Sequence, residues 1–300
     1  MVIGAPVVYL VALGVVIASW GLPVARDQLF LWLALGMAAF SVSAWRSWGV
    51  MLLEWLPFFV LLALYDYLRG AVSVAPSQAH VLPQIDFDKV LFGGTVPSVW
   101  LQQHLWTPGH FHWYDYGVWG VYMTHFFAVW VVAAVVWRVS RQQFRRYALL
   151  TVTLTVGAFL TYWLYPAQPP WLAVDGHSIG HVDRIVPLVW GQLGVPTISS
   201  AYENSSFVNT VAAMPSLHAG YPFMLMLFFW PAEKLVRVLL GAYTLAMAFT
   251  LVYGGEHFVI DIVAGWAMAL AAYALVAWGL SLSARRSRRP NALVAEADGP

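Results

Sequence analysis

Apolar residues dominate eight segments of the chain, and each segment is close to the length of a helix that crosses a bilayer. The segments cover residues 3–20, 28–45, 48–68, 117–137, 146–164, 216–231, 235–252 and 257–280. A transmembrane helix needs about 20 mainly apolar residues, and about 17 to 25 are tolerated. Two longer connections, residues 69–116 and 165–215, interrupt the pattern. The pattern therefore predicts an all-α fold, a polytopic membrane bundle of about eight transmembrane helices.

The composition agrees with an integral membrane protein. Of the 300 residues, 61% are hydrophobic and 10% are charged, whereas soluble domains contain about 25% charged residues. No polar stretch is long enough to form a second core, so we predict one transmembrane domain over residues 1–282. The tail at 283–300 is basic and then small and polar, and we expect it to be disordered. The net charge of +1 does not indicate a nucleic-acid partner, and the lack of cysteine excludes disulfides and thiolate chemistry.

The basic residues indicate an orientation, because lysine and arginine accumulate in the short cytoplasmic loops of membrane proteins. They occur here at alternate ends of the apolar segments: Arg46; Arg138, Arg141, Arg145 and Arg146; Lys234 and Arg237; Arg285, Arg286, Arg288 and Arg289. We therefore expect a multi-pass protein of the cell (plasma) membrane with both termini in the cytoplasm. The two long connections would form an external cap, and they carry tryptophans typical of the lipid headgroup level.

His257 and Asp261 lie four residues apart at the start of the last apolar segment. On a helix their side chains share one face and can touch. A carboxylate in contact with one ring nitrogen fixes the tautomer and leaves the other nitrogen free to attack a substrate. His257 is therefore a candidate nucleophile, and an ionisable residue such as Asp261 within an apolar segment favours a functional role. The alternative is a helix-end histidine that pairs with an acid for structural reasons.

A second motif, Pro215-Ser216-Leu217-His218, lies upstream of the hairpin formed by the last two apolar segments. Proline followed by serine predicts a helix start, where unpaired N–H groups favour an anion such as phosphate. Ser216 is thus a candidate phosphate-binding residue. His218 is placed to donate a proton to a leaving alkoxide. A capped, partly buried histidine without a catalytic role is the alternative.

Together the two motifs resemble the type 2 phosphatidic acid phosphatase superfamily, in which Pro-Ser-(Gly or Leu)-His is followed by His-x-x-x-Asp. Tyr253 and the run Ile262-Val263-Ala264-Gly265 also match the last motif of that family. The Pro-Ser-Leu-His variant and the segment Tyr165-Pro166-Ala167-Gln168-Pro169-Pro170-Trp171 are similar to inositol phosphorylceramide synthases and their bacterial relatives. The resemblance implies a six-helix phosphatase-like core and a mechanism without metal or cofactor. It also implies a phosphohistidine on His257, oriented by Asp261, with His218 as the proton donor.

The resemblance leaves open which cation holds the phosphate. The phosphatases of the family carry an arginine six residues before the nucleophile, where this chain has Leu251. Because phosphoryl transfer depends on electrostatic stabilisation of the phosphate oxygens, another cation must replace it. The candidates are Arg69, Lys89 and Arg184, although Arg69 could equally pair with Asp66 on the same helix face.

Two further residues are candidates for substrate binding. His125 lies about 12 Å along the fourth segment, at about 1.5 Å per residue, where a histidine must face protein or a cavity. A structural histidine within the bundle explains it equally well. Tyr253 is a candidate because it lies four residues before His257, although packing alone would also explain it.

His104, His110 and His112 are clustered in the first long connection, and such spacing can bind metal. Imidazoles among tryptophans at the headgroup level need no ion, so we predict no metal site.

We therefore expect a membrane lipid phosphotransferase. It would move a phosphate-containing headgroup, such as inositol phosphate, from a phospholipid to a lipid or glycan alcohol. One alternative is a lipid phosphate phosphatase that hydrolyses a phosphatidic-acid-like or polyprenyl phosphate. Alternatives of another class are a proton-coupled transporter, with Asp261 and His125 as relays, and a non-catalytic lipid-binding protein. The tryptophan-rich cap favours transfer, because excluding water protects a reactive intermediate.

Overall fold

The computed structural model describes residues 4–21, 26–40, 42, 48–71, 78–173, 179–193 and 211–287. The regular secondary structure in this part of the chain consists of helices, apart from isolated β-bridges, which confirms the predicted all-α class. In chain order the helices are α1 (Gly4–Trp20), α2 (Arg26–Phe40), α3 (Trp48–Ala71), α4 (Leu82–Leu91), α5 (Pro97–Leu105), α6 (Trp113–Val139), α7 (Arg141–Leu164), α8 (Pro170–Ala173), α9 (Ile185–Gln192), α10 (Leu217–Phe228), α11 (Lys234–Tyr253) and α12 (Val259–Ser287).

Each of the eight apolar segments corresponds to a helix, so the apolar pattern located the bundle correctly. Among the described residues, α6, α7, α11 and α12 are long and apolar enough to cross a bilayer. The protein is therefore a multi-pass membrane protein. Helices α1, α2 and α10 are apolar but shorter, with 17, 15 and 12 residues. At about 1.5 Å per residue, α10 extends over only about 18 Å.

The two long connections contain the short helices α4, α5, α8 and α9, which form the cap over one end of the bundle. In the first connection, α4 begins at Leu82, and Pro83 occupies its first turn, where a proline fits well. It ends before Gly93 and Gly94, whose φ angles of 65° and 92° break the helical path.

The starts of α10 and α12 are held together by a close helix contact. The backbone N–H of Ser216 donates to the carbonyl oxygen of Asp261 at 2.9 Å. A Cβ atom at Gly265 would overlap the carbonyl oxygen of Ser216, so only glycine permits this approach. The carbonyl of Gly265 in turn lies against Gly220 of α10. This packing brings the two sequence motifs to the same end of the bundle.

The opposite end of the bundle carries the basic residues. Helix α7 begins there at Arg141, and α12 ends there at Ser287. Residues 283–287 of the tail that the sequence predicted to be disordered are thus helical. The rest of that tail lies outside the described residues.

Candidate active site

A tight turn between α11 and α12 positions His257. Gly255 in this turn has a φ of +74°, and a Cβ atom there would lie 2.7 Å from the carbonyl oxygen of Asp183. The backbone N–H of His257 donates to the carbonyl of Leu251 at 3.2 Å, which fixes the end of the turn. His257 and Asp261 are both buried.

The side chains of His257 and Asp261 are in contact, although His257 lies in the turn before α12 and not on the helix that the sequence predicted to carry both residues. Nδ1 of His257 lies 3.4 Å from Oδ2 of Asp261. The same oxygen accepts a hydrogen bond of 3.0 Å from the backbone N–H of Phe258, which holds the carboxylate in place. The arrangement suits a tautomer with the proton on Nδ1 and a free electron pair on Nε2.

His218 lies beside His257, one residue into α10. The centroids of the two imidazole rings are 5.7 Å apart. Ser216 is the N-cap of α10, and its hydroxyl oxygen accepts a hydrogen bond from the backbone N–H of Ala219 at 3.3 Å. Nε2 of His218 is buried and has no hydrogen-bond partner among the described residues. The fold therefore brings both histidine motifs into one buried cluster.

His125 reaches the same cluster from α6. Its ring stacks on that of His218 with centroids 3.7 Å apart, and the ring of Tyr122 also stacks on His218, with centroids 4.8 Å apart. Nδ1 of His125 is also buried without a partner in the described part of the chain. Sequence reasoning proposed His125 but missed Tyr122, although the two lie three residues apart and share a helix face.

Arg184 is a cation that the structure places close to the histidine cluster. Its Nε and Nη2 atoms donate to the two carboxylate oxygens of Glu256 at 2.9 and 3.1 Å. The guanidinium also lies over the ring of Trp171, 4.9 Å from its centroid, and interacts electrostatically with His218. Because Glu256 directly precedes His257, this largely buried ion pair holds a cation near the His257 imidazole.

Gln102 of α5 ties the cap to the turn that carries His257, and sequence reasoning missed it. Its Nε2 donates to the carbonyl oxygens of Asp183 and Tyr253, both at 2.8 Å. Its Oε1 accepts from the backbone N–H of Asp183 at 2.7 Å. One buried amide thus joins segments separated by 81 and 151 residues, a contact for which no local pattern gives an indication.

Asp88 of α4 was also missed, and it caps the last helix of the bundle. Its carboxylate accepts hydrogen bonds from the backbone N–H groups of Val259 at 3.1 Å and Ile260 at 3.4 Å. These groups are otherwise unpaired at a helix start, and an acidic cap also interacts favourably with the helix dipole. Burial raises the pKa of Asp88 to about 6, despite these two hydrogen bonds.

Comparison with known proteins shows the family to which the chain belongs. The profile of the PAP2 superfamily matches residues 89–275, which include every residue of the histidine cluster. The chain belongs to the PAP2 superfamily. It is a membrane enzyme that acts on lipid phosphate esters, and the family resemblance drawn from the sequence motifs is confirmed.

Two curated proteins place this PAP2 chain nearer one branch. It is 26% identical over 246 residues to phosphoinositol dihydroceramide synthase of Bacteroides thetaiotaomicron, covering 75% of this chain and 76% of that protein. It is 32% identical over 112 residues to the catalytic subunit of inositol phosphorylceramide synthase of Saccharomyces cerevisiae, covering 34% of this chain and 26% of that protein. No solved structure matches the chain with significance.

The segment that first pointed to this branch of the PAP2 superfamily forms one wall of the site. Ala167 donates to Val211 at 2.8 Å and accepts from Ala213 at 3.1 Å, so the segment lies beside the loop that leads into α10. At its end, the backbone N–H of Trp171 donates to the carbonyl oxygen of Gly255 at 3.2 Å. The segment thus contacts the loop before His218 and the turn before His257, and its Trp171 ring lies against Arg184.

The other predicted site residues of this PAP2 enzyme are Tyr253, Lys89 and Arg69. The hydroxyl of the buried Tyr253 donates to Oδ1 of Asp115 at 2.6 Å, a geometry that favours a packing role over substrate binding. Lys89 is half-buried on α4 and makes no ion pair within the described residues. The side chain of Arg69 lies outside the described residues.

The histidines of the first long connection make contacts with aromatic rings. His104 stacks on Trp100 at 4.3 Å, and His112 stacks on Tyr114 at 5.0 Å. His110 packs edge-on against His112 at 4.9 Å. In the part of the chain that the structure describes, no group of three or more histidine, aspartate or glutamate side chains is arranged to hold a metal ion.

Proposed function

We propose that this PAP2 enzyme transfers an inositol phosphate headgroup from a phosphatidylinositol-like lipid to a long-chain amide alcohol of the dihydroceramide type. The substrate classes come from the similarity to phosphoinositol dihydroceramide synthase, which extends over three quarters of both chains. The observation that carries the reaction type is the buried arrangement of His257, Asp261 and His218. It supplies a nucleophile, its orienting carboxylate and a proton donor within one cluster.

In the first half-reaction, Nε2 of neutral His257 attacks the phosphorus atom, and the bond between phosphorus and the diacylglycerol oxygen breaks. Protonated His218 gives its proton to that oxygen, so diacylglycerol leaves as a neutral alcohol. The product is an inositol phosphate attached to His257, with Nδ1–H directed at Asp261. The carboxylate stabilises the positive charge that the phosphorylated ring acquires.

In the second half-reaction, the hydroxyl of the acceptor occupies the position that diacylglycerol has left. His218, now neutral, takes the hydroxyl proton while the oxygen attacks phosphorus and the bond to His257 breaks. The two steps return both histidines to their starting states. Because the acceptor replaces the leaving group opposite His257, one proton carrier serves both steps.

Arg184 is the cation we assign to the phosphate oxygens in the place of the family arginine. Its pairing with Glu256 pre-orders the guanidinium beside His257, so little side-chain entropy is lost when phosphate binds. Ser216 holds the start of α10, whose N–H groups favour the same anion. We assign a supporting role to His125, while Lys89 and Arg69 are candidates for contacts with the outer part of the headgroup.

Burial of the cluster supports transfer over hydrolysis. His257 is only 6% exposed, and α5, α9 and the segment ending at Trp171 all donate hydrogen bonds to the turn that precedes it. A phosphohistidine in such a site meets a bound lipid alcohol more readily than bulk water. A lipid phosphate phosphatase remains the second function of the family, and the assay below separates the two.

The assay uses purified protein in lipid, with phosphatidylinositol labelled in the inositol ring, with and without dihydroceramide or diacylglycerol as acceptor. We expect labelled product that requires dihydroceramide and disappears in His257→Ala. Release of free inositol phosphate at the same rate without acceptor would contradict transfer and indicate a hydrolase. An acid-labile, base-stable label on wild-type protein, formed without acceptor, would test the phosphohistidine separately.

We also propose that the site lies on the extracytoplasmic side of the plasma membrane, with both termini in the cytoplasm. Helix α11 starts at Lys234 near the basic end and finishes beside the histidine cluster, so the two ends of the bundle have opposite character. Single cysteines at the exposed positions Asp86, on the cap, and Gln142, at the basic end, test this in intact cells. We expect an impermeant thiol reagent to label D86C and not Q142C, and the reverse result would contradict the proposal.

A further inference from the structure

A cavity of about 730 Å³ lies at the basic end of the bundle, far from the histidine cluster. It opens between the start of α7 and the second half of α12. Its walls include Arg141, Arg145, Arg146, Leu149, Ala277 and Leu280. The reaction proposed above uses none of these residues, so the cavity requires its own explanation.

The part of this cavity at the start of α7 is strongly cationic. Three arginines line it, and within the described residues Glu54 of α3 pairs with two of them, Arg141 and, at 3.4 Å, Arg145. Three positive charges and one negative charge leave a formal charge of +2. Arg145 keeps 73% of its side chain exposed despite this pairing. The guanidinium groups therefore retain donors for an anion.

Two further features fix the arginines around the opening. Nη2 of Arg146 donates to the hydroxyl of Tyr273 on α12 at 2.9 Å. The guanidinium of Arg141 lies 3.9 Å from the ring centroid of Trp137. Ser140 caps α7 by accepting from the backbone N–H of Gln143 at 3.3 Å, so the positive end of a 24-residue helix adds to the field. Bidentate guanidinium groups held in this way suit a phosphate group.

The part of the cavity formed by Leu149, Ala277 and Leu280 is apolar and faces the lipid. Leu149 is 48% exposed and Leu280 is 43% exposed, on helices that cross the membrane. A ligand there meets cations at one end and an aliphatic surface directly below. A phospholipid has this division between phosphate and acyl chain, whereas a soluble phosphate compound has no group for the apolar wall.

We propose that this cavity binds an anionic phospholipid in the leaflet opposite the catalytic site. The phosphate contacts Arg145 and Arg146, and one acyl chain lies against Leu149, Ala277 and Leu280. The bound lipid joins α7 to α12 next to the ion pair between Glu54 and Arg141. Basic pockets between transmembrane helices recognise acidic lipid headgroups in this way. The proposal does not depend on the reaction catalysed at the other end.

The test counts bound lipids on the full-length protein by native mass spectrometry. Protein stripped of lipid is titrated with phosphatidylglycerol or with phosphatidylcholine of the same acyl chains, and inorganic phosphate is added as a competitor. We expect preferential retention of one phosphatidylglycerol, without displacement by phosphate. Equal retention of the two lipids would overturn the proposal, and displacement by phosphate would show an anion site without lipid specificity and overturn it as well.

Two pairs of variants with matched charge locate the site. Arg145→Gln should weaken phosphatidylglycerol retention about fivefold, and Arg145→Gln with Arg146→Gln about 25-fold. Arg237→Gln, alone or with Lys234→Gln, removes the same charge at the same end but outside the cavity, and retention should be unchanged. An equal decrease in both pairs would mean diffuse attraction and overturn the site. Arg146→Lys keeps the charge, so it separates loss of binding from any misfolding of the double variant.

Discussion

The imidazole rings of His125 and His218 stack with their centroids 3.7 Å apart, although the residues lie on α6 and α10. Like charges at this distance in a buried site repel strongly, so at most one of the two rings is a positively charged imidazolium at a time. The ring of His257 lies near the same stack, with its centroid 5.7 Å from that of His218. The position and charge of the proposed proton donor therefore depend on a helix that carries neither family motif.

The stack predicts a graded response to substitution of His125. His125→Phe keeps a planar ring against His218, and we expect it to retain turnover within about tenfold. His125→Ala removes the support and should lower kcat about 100-fold, since small displacements of catalytic groups cost about this much. Steady-state transfer assays measure both. Equal inactivity of the Phe and Ala variants would show that a ring nitrogen of His125 is required, contrary to a supporting role.

Removing the proposed nucleophile should abolish phosphohistidine formation. We expect His257→Ala to lower kcat at least about 10⁴-fold, and Asp261→Asn to lower it about 10² to 10⁴-fold by loss of ring orientation. Rapid-quench labelling with headgroup-labelled lipid measures the first half-reaction directly. Asp115→Asn is the matched control, because Asp115 is as buried as Asp261 but contacts Tyr253 instead. Loss of labelling in D115N to the same extent would contradict a specific role of Asp261.

The buried pair of Arg184 and Glu256 predicts different outcomes for folding and activity. Removing one partner of a buried pair leaves an uncompensated charge and costs about 3–5 kcal/mol. Arg184→Gln and Glu256→Gln should therefore both lower thermal stability, and the double variant should recover most of it. We expect the double variant to stay at least about 100-fold impaired in turnover, because the phosphate has lost its cation. Recovery of turnover together with stability would show that Arg184 is purely structural.

Asp88 predicts a dependence of stability on pH that disappears when it is replaced by asparagine. Burial raises its pKa from 3.8 to about 6 in the folded protein. The folded state then binds more protons than the unfolded state between these values. The free energy of unfolding therefore falls as pH rises from about 4 to about 6, by at most about 3 kcal/mol from this group.

Thermal unfolding of the wild type and Asp88→Asn across pH 4 to 7 measures this effect. Asparagine keeps an oxygen that accepts from Val259 but does not titrate. The stability of D88N relative to the wild type should thus increase as pH rises through this range. A constant difference between the two proteins would contradict a shifted pKa at this position.

The contact at Gly265 predicts that a single methyl group disrupts the site. Gly265→Ala would push against the carbonyl oxygen of Ser216 and separate the starts of α10 and α12. We expect a loss of about 1–3 kcal/mol in stability and a clear loss of turnover. Gly279→Ala on the same helix is the control, because its Cβ has no neighbour within 4 Å, and helix propensity makes it neutral or slightly stabilising. Wild-type behaviour of G265A would contradict the close packing.

Local sequence patterns accounted for the elements and for part of the site. Apolar length located the helices because a bilayer requires about the same length of any helix that crosses it. The four-residue spacing of His257 and Asp261 predicted a contact that the structure has, but His257 lies in the turn before α12 and not on the helix itself.

Contacts between distant segments were not accessible in this way. Gln102 reaches Asp183 and Tyr253 across the cap, and Asp88 caps a helix that begins 171 residues later. Arg184 was one of three cation candidates and had weaker sequence support than Arg69, and its pairing with Glu256 distinguishes it from Lys89. Long connections rich in glycine and proline contain no periodicity from which such pairings could be predicted.

The sequence by itself determined the membrane bundle and the apolar segments at which the two histidine motifs lie. These follow from hydrophobic length, which needs no knowledge of neighbours. Only the tertiary structure decided that His125 stacks on His218, that Arg184 lies beside His257 and that three arginines surround a cavity at the opposite end. Each depends on how separate helices and loops pack, and packing is set by the whole set of side chains and not by any local pattern.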